Sequence, residues 1–327
     1  MVRARHDAVA GLALVVALLL GGAEPVGSVA EPPLETTVES YTFVDTSRAT
    51  PCSAAAERTL KVTVAFPSAG ETFPVIVVGP GSGASQRAVA RADAQELAGR
   101  GYLAVAMEFP CTNAPGLTTL DPLVALDIYR QPADVSFVLT RLLEKGETPG
   151  DELEARLDPE RIGYIGTSSG AVTGLLFFNN CCADARVRAV VAVKGFAVPT
   201  GAGLPVEGDY DWSRAISLLM WSACNDVVTP FALARDTYTQ AAPPKFFVQD
   251  PTGDHSTPVT FPPGTFDAFL DRYIAGDTAL EQLATLVAAA GPTFAYDLGG
   301  SGTGGAFVAC AGALVSEPVT APPSFTG

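Results

Sequence analysis

An α/β domain built on a mostly parallel sheet is what this 327-residue sequence predicts, and three observations predict it. Short apolar, often β-branched runs recur along the chain with helix-patterned stretches between them, the alternation expected of strand–helix–strand units. Several of these runs are apolar throughout, as strands buried on both faces are. One of them, at 162–165, passes without a spacer into Gly166-Thr167-Ser168-Ser169-Gly170 and then into a helical start at Ala171. A serine is thereby placed on a sharp strand-to-helix turn, with small residues two positions to either side of it.

Taken in order, residues 31–40 are Pro- and Glu-rich and read as a solvated leader, and 42–44 as a first short strand. Residues 58–66 alternate like a strand with one wet face, and Pro67-Ser68-Ala69-Gly70 turns the chain. Residues 73–78 form a buried-type strand that runs into Gly79-Pro80-Gly81-Ser82-Gly83, a loop of small residues. Helical spacing over 86–100 places Val89, Leu97 and Ala98 inward, and Gly99-Arg100-Gly101 ends the helix. Residues 102–107 are the next buried strand, 111–122 a loop, and 134–143 an amphipathic helix with Pro132 in its first turn. After the serine turn, 187–193 and 216–221 read as strands, 229–240 as a helix and 245–248 as the last strand. Residues 264–274 and 278–290 close the fold as helices. The expected sheet therefore has eight strands, with helices on both faces. About two dozen residues separate the strands at 187–193 and 216–221, too few for a separate cap domain. The domain is expected to span 31–290, followed by a Gly/Ser/Pro-rich tail, 291–327, that Cys310 is placed to tie down.

Residues 1–30 carry the marks of a secretory signal: Arg3 and Arg5, an apolar run over 8–20, and Ser28-Val29-Ala30 as a cleavage site, with Gly21-Gly22-Ala23 as a second candidate. The run is short for a bilayer span, so export is expected rather than a retained anchor. Its removal takes away Arg3 and Arg5 against Asp7 and Glu24 and leaves the formal charge at −15. Such an acidic chain is a poor partner for nucleic acid or an anionic membrane. All six cysteines (52, 111, 181, 182, 224 and 310) lie beyond the signal, an even number that suits up to three disulfides in an exported protein. No C-x-x-C spacing occurs and one histidine remains after processing, which speaks against zinc. The adjacent Cys181 and Cys182 are expected to bond to two different partners rather than to each other.

A serine hydroxyl needs a base within hydrogen-bond reach to act as a nucleophile. The one candidate of the usual type is His255, in Thr252-Gly253-Asp254-His255-Ser256 after the last expected strand. Its position at a strand's C-terminal end is where parallel sheets hold their sites. The imidazole in turn needs a carboxylate to set its tautomer. Asp226, in Cys224-Asn225-Asp226 after the penultimate strand, is favoured on position over Asp254, Asp209 and Asp211. Amide donors for a developing oxyanion are expected from Ser169, next to the nucleophile, and from Ser82 in the glycine-rich loop. A phosphate cradle is the other use of such a loop, but the G-x-x-x-x-G-K-[ST] pattern is missing.

Over residues 60–280 the chain resembles the secreted α/β-hydrolase group that includes the dienelactone-hydrolase-like, cutinase-like and platelet-activating-factor-acetylhydrolase-like esterases. The resemblance rests on residues 74–83, on 131–137 as the helix before the serine turn, on 161–170 as the nucleophile elbow itself, on Asn225-Asp226 and on Gly253-Asp254-His255. It implies the Ser168–His255–Asp226 triad in the family's chain order and hydrolysis of carboxylic esters without a cofactor. Relatives commonly have His before the nucleophile and His-Gly in the oxyanion loop, where this chain has Thr167 and Pro80-Gly81. The family's strand order further implies a Cys52–Cys111 disulfide. The absence of a cap would leave the site open to small, lipid-like or polymeric esters. Two other uses stay open: the same triad acting on phospholipid acyl or amide bonds, and a catalytically silent hydrolase fold used for binding.

Overall fold

The computed structural model describes residues 32–310 apart from 71, 118–120, 202–205, 278–279 and 289–292. The expected signal at 1–30 and the tail beyond 310 lie outside the described residues. Among the described residues ten strands form one sheet in the order β1-β2-β4-β3-β5-β6-β7-β8-β9-β10. They are β1 (Thr36–Asp45), β2 (Arg58–Pro67), β3 (Phe73–Gly79), β4 (Leu103–Glu108), β5 (Leu157–Thr167), β6 (Val187–Val193), β7 (Ser217–Ala223), β8 (Lys245–Asp250), β9 (Phe294–Asp297) and β10 (Thr303–Gly304). The pairings from β4 through β3, β5, β6 and β7 to β8 are parallel. Those of β1 with β2, β2 with β4, β8 with β9 and β9 with β10 are antiparallel.

Among the described residues seven α-helices accompany the sheet: α1 (Gln86–Gly99), α2 (Pro122–Ile128), α3 (Gln131–Gly146), α4 (Ser169–Leu175), α5 (Phe231–Gln240), α6 (Thr265–Tyr273) and α7 (Leu280–Ala288). Val135, Val138, Leu139 and Leu142 of α3 join Leu175 of α4 and Phe231 and Tyr238 of α5 in one apolar layer. Ala94, Leu97 and Ala98 of α1 join Phe269 of α6 and Leu286 of α7 in the other. The central strands are buried on both faces for this reason: Val190 and Val191, neighbours on β6, point into different layers and neither is exposed to solvent.

The eight-strand expectation is therefore corrected to ten: β9 and β10 are added beyond β8 at one edge, and the first strand is longer than expected at the other. Residues 36–40, read as leader, belong to β1, which pairs with β2 along its whole length. Thr36 and Ser40 look loop-like because an edge strand keeps polar side chains in water. At the opposite edge, Phe294–Asp297 and Thr303–Gly304 join the sheet although the surrounding sequence is rich in glycine. Helix α2 was not visible in the sequence, since seven residues are too few to display a helical period. Its start is set by Asp121, whose carboxylate accepts the Leu123 amide at 3.0 Å, ahead of Pro122. Val89, which the spacing of α1 places inward, is 49% exposed.

The disulfides are Cys52–Cys111, Cys181–Cys182 and Cys224–Cys310. The first joins the chain before β2 to the chain after β4, at one end of two adjacent antiparallel strands, and closes a span of 59 residues. A bridge of that span contributes ~3–5 kcal/mol in the chain-entropy picture. Cys224–Cys310 ties the last described residue to the loop after β7. The expectation of separate partners for Cys181 and Cys182 is corrected: they are bonded to each other. They sit on a tight turn in which Asn179 accepts the amides of Cys181 (2.8 Å) and Cys182 (3.1 Å), and the other four cysteines are already paired. Among the described residues no helix is long and apolar enough to cross a membrane.

Candidate active site

The elbow sits at the C-terminal end of β5, between β3 and β6 in the middle of the sheet. Ser168 has φ 55° and ψ −118°, a conformation that costs a residue with a side chain ~1–3 kcal/mol and needs its surroundings to enforce it. The glycines make that possible. A Cβ on Gly166 would overlap the Gly170 carbonyl, and one on Gly170 would overlap the Gly79 carbonyl, so strand, turn and helix pack backbone to backbone. The Ser168 amide donates to Val193 O at 2.9 Å, and the buried Tyr164 hydroxyl donates to Gly170 O at 2.9 Å.

The structure brings Ser168, His255 and Asp226 together. Ser168 Oγ lies 3.1 Å from His255 Nε2, and His255 Nδ1 lies 2.8 Å from Asp226 Oδ2. Asp226 is buried, and both its oxygens are engaged. Oδ1 accepts the amides of Val228 (2.9 Å) and Thr229 (2.8 Å), while Oδ2 also accepts the Thr229 hydroxyl at 2.7 Å. Because a carboxylate only accepts, Nδ1 carries the imidazole proton and Nε2 is left to accept from the serine hydroxyl. The loops holding acid and base are joined to each other: the Asn225 amide donates to Gly253 O at 2.9 Å and its side chain to Thr252 O at 2.8 Å. Asp254, the nearer acid in sequence, is turned into its own loop, where Oδ1 accepts the amides of Ser256 and Thr257. The hydrogen bonds from Ser256 hold its carboxyl below the usual aspartate range. A hydroxyl with an imidazole in reach, and an imidazole held by a buried carboxylate, can lose its proton as it attacks a carbonyl.

The glycine-rich loop passes within contact of the serine, since a Cβ on Gly81 would lie 3.5 Å from Ser168 Cβ. The Gly83 amide is taken by Thr112 O at 2.8 Å, and Pro80 has no N–H. The amides of Ser82 and Ser169 find no acceptor among the described residues.

No protein-family model matches the chain, and neither does any curated protein sequence. Among solved structures, a ferulic acid esterase from Streptomyces cinnamoneus superposes with a TM-score of 0.53 at 20% sequence identity, over 77% of this chain and 94% of that one. The chain has an α/β-hydrolase fold. At that identity the likeness speaks for the fold, and the chemistry has to be argued from the residues.

Two residues at this site escaped the sequence reading. Asn113 is buried in the loop after β4; its Nδ2 donates to the carbonyls of Gly81 (2.9 Å) and Gly83 (3.2 Å), and its Oδ1 accepts the Phe109 amide. Lys194 follows β6 with φ 55°. Its ammonium donates to the carbonyls of His255 (2.9 Å) and Thr257 (2.5 Å) and lies 5.2 Å from the centre of the Trp221 ring. Burial pushes this ammonium below the usual lysine range, with Asp226, Asp254 and Asp250 pulling the other way. Both side chains act on backbone carbonyls, which leave no mark in the sequence. The one available signal was a lysine directly after the apolar residues 189–193.

Proposed function

We propose that the protein is an exported serine esterase that cleaves carboxylic esters through an acyl-enzyme intermediate. The observation that carries this reading is the Ser168–His255–Asp226 relay, with hydrogen-bond distances at both steps, at a strained strand-to-helix turn. Ser168 attacks the ester carbonyl while His255 Nε2 takes its proton; His255 then protonates the departing alcohol. Asp226 keeps the imidazole in the Nδ1–H tautomer and balances the imidazolium as it forms. The amides of Ser82 and Ser169 stabilise the oxyanion, and water activated by His255 releases the acid. The reading is supported by the fold shared with a ferulic acid esterase. Export is supported by three disulfides, which persist in oxidising compartments. The test is a panel of 4-nitrophenyl esters on purified, disulfide-intact protein; the reading fails if none is hydrolysed above the buffer rate.

Two positioning residues follow from this mechanism. Asn113→Ala frees the carbonyls that hold the Ser82 loop, and kcat on 4-nitrophenyl acetate is expected to fall about 10- to 100-fold with KM little changed, because misplaced oxyanion donors weaken only the transition state. An unchanged kcat would remove Asn113 from the account. Lys194→Met releases the carbonyls of His255 and Thr257, and a loss of kcat of similar size, about 10- to 100-fold, is expected from the displaced base. Steady-state kinetics beside a melting curve for each variant separates this loss from unfolding.

A further inference from the structure

The face of the sheet shared by α1 and α6 is incompletely covered. A groove of about 310 Å3 lies there, floored by Val78, Ile165 and Val193 of three adjacent parallel strands. Phe261 and Phe266, stacked at 5.1 Å, belong to the wall opposite α1. Central parallel strands ordinarily lie under helices on both sides; here Val78 and Val193 are buried while Ile165 between them stays partly exposed to the groove. On the α1 side the lining residues run from Val89 to Arg100 at intervals of three or four, one face of the helix, so the groove extends ~16 Å along it. This explains why Val89 sits on the expected inner face of α1 and is nonetheless half exposed.

The lining of the groove comes within one residue of Ser168 along the chain. Thr167, which lines it, immediately precedes Ser168, and Val193 of the floor accepts the Ser168 amide at 2.9 Å. Val259, also in the lining, lies just past His255. Its polar residues are Thr167 and, along α1, the exposed Asp93, Glu96 and Arg100; Arg100 is occupied by ion pairs with Glu96 and Asp267. The floor itself offers only aliphatic side chains, and the two acids on α1 disfavour an anion.

We propose that this groove binds an unbranched hydrocarbon chain of the ester substrate, carried by its acyl or its alcohol part. The proposal rests on the esterase reading of Ser168. The volume is at the low end of ligand pockets, ~300–1,000 Å3, and suits a single chain lying along α1. A neutral ester is accepted, while the acidic rim resists a free fatty-acid anion.

The test compares wild type, Val89→Trp and Val89→Ala on 4-nitrophenyl acetate, 4-nitrophenyl octanoate and octyl acetate. Val89 is half exposed and outside the proposed catalytic machinery, so the tryptophan blocks the groove without touching the triad. Val89→Trp is expected to lower kcat/KM at least tenfold for one long-chain ester while 4-nitrophenyl acetate stays within twofold, and Val89→Ala to stay within twofold on all three. A loss on the octanoate places the acyl chain in the groove, and a loss on octyl acetate places the alcohol chain there. The proposal is overturned if Val89→Trp leaves the long-to-short ratios unmoved, if it lowers all three rates equally, or if wild type hydrolyses the short ester but neither long one. Hydrolysis of 4-nitrophenyl acetate with unmoved ratios overturns the groove alone; no hydrolysis of any ester overturns the esterase reading and the groove with it.

Discussion

Ser168→Ala is expected to lower kcat on 4-nitrophenyl acetate by about 10^4- to 10^6-fold, the loss seen when the nucleophile of a serine hydrolase triad is removed. The folded state should barely change. Ser168 sits at φ 55° because Gly166, Gly170 and the Gly79 carbonyl leave the backbone no other path, and alanine inherits that path. The hydroxyl's one hydrogen bond is to a partly exposed imidazole, so its removal strands no buried group. A melting temperature close to wild type together with lost turnover would identify a chemical defect. Turnover at the wild-type rate would mean that the hydrolysis arises elsewhere.

The second large effect is on stability. Arg58, at the start of β2, is fully buried and donates to both oxygens of Asp134, at 2.6 and 2.5 Å, and to Asp127 Oδ1 at 2.7 Å. Burial works against its charge, but the hydrogen bonds and fields of Asp134 and Asp127 outweigh it and hold the guanidinium above the usual arginine value. Arg58→Met keeps most of the volume and leaves two buried carboxylates without that partner. Breaking a buried pair from one side costs ~3–5 kcal/mol, a large share of the ~5–15 kcal/mol by which a domain is stable. Urea unfolding should show the loss as an earlier midpoint, and an unchanged midpoint would contradict it. The same network reaches the site: Asp127 Oδ2 accepts the amide and hydroxyl of Thr112, both at 2.8 Å, and the Thr112 carbonyl holds the Gly83 amide. Residual activity of Arg58→Met should therefore fall as well.

How much could be read from the sequence depends on how locally each feature is determined. The elbow was legible because its steric demand falls on five consecutive residues. The proposed base could be named because His255 is the one histidine left after an expected signal, and the proposed acid, Asp226, because it follows a strand end ahead of His255. The parallel centre of the sheet followed from apolar runs separated by helical stretches. The edges followed only in part: 42–44 of β1 read as a strand while 36–40 did not, and β9 and β10 lie among glycines. The inward reading of Val89 failed because helical spacing identifies the face of α1 turned to the sheet without telling whether anything fills the space. Asn113 and Lys194 were invisible because they recognise backbone carbonyls, whose positions exist only in the fold. Bonding of Cys181 to Cys182 was missed because adjacent cysteines read as two independent thiols until a tight turn brings their sulfurs together.

The central claim is that Ser168 is an activated nucleophile. It is tested most directly by treating folded, disulfide-intact protein with a fluorophosphonate and mapping the adduct by peptide mass spectrometry. A single adduct on Ser168, formed with loss of ester hydrolysis and absent from His255→Ala, is the result expected. No adduct, or an adduct on another residue while Ser168 stays unmodified, would contradict the account.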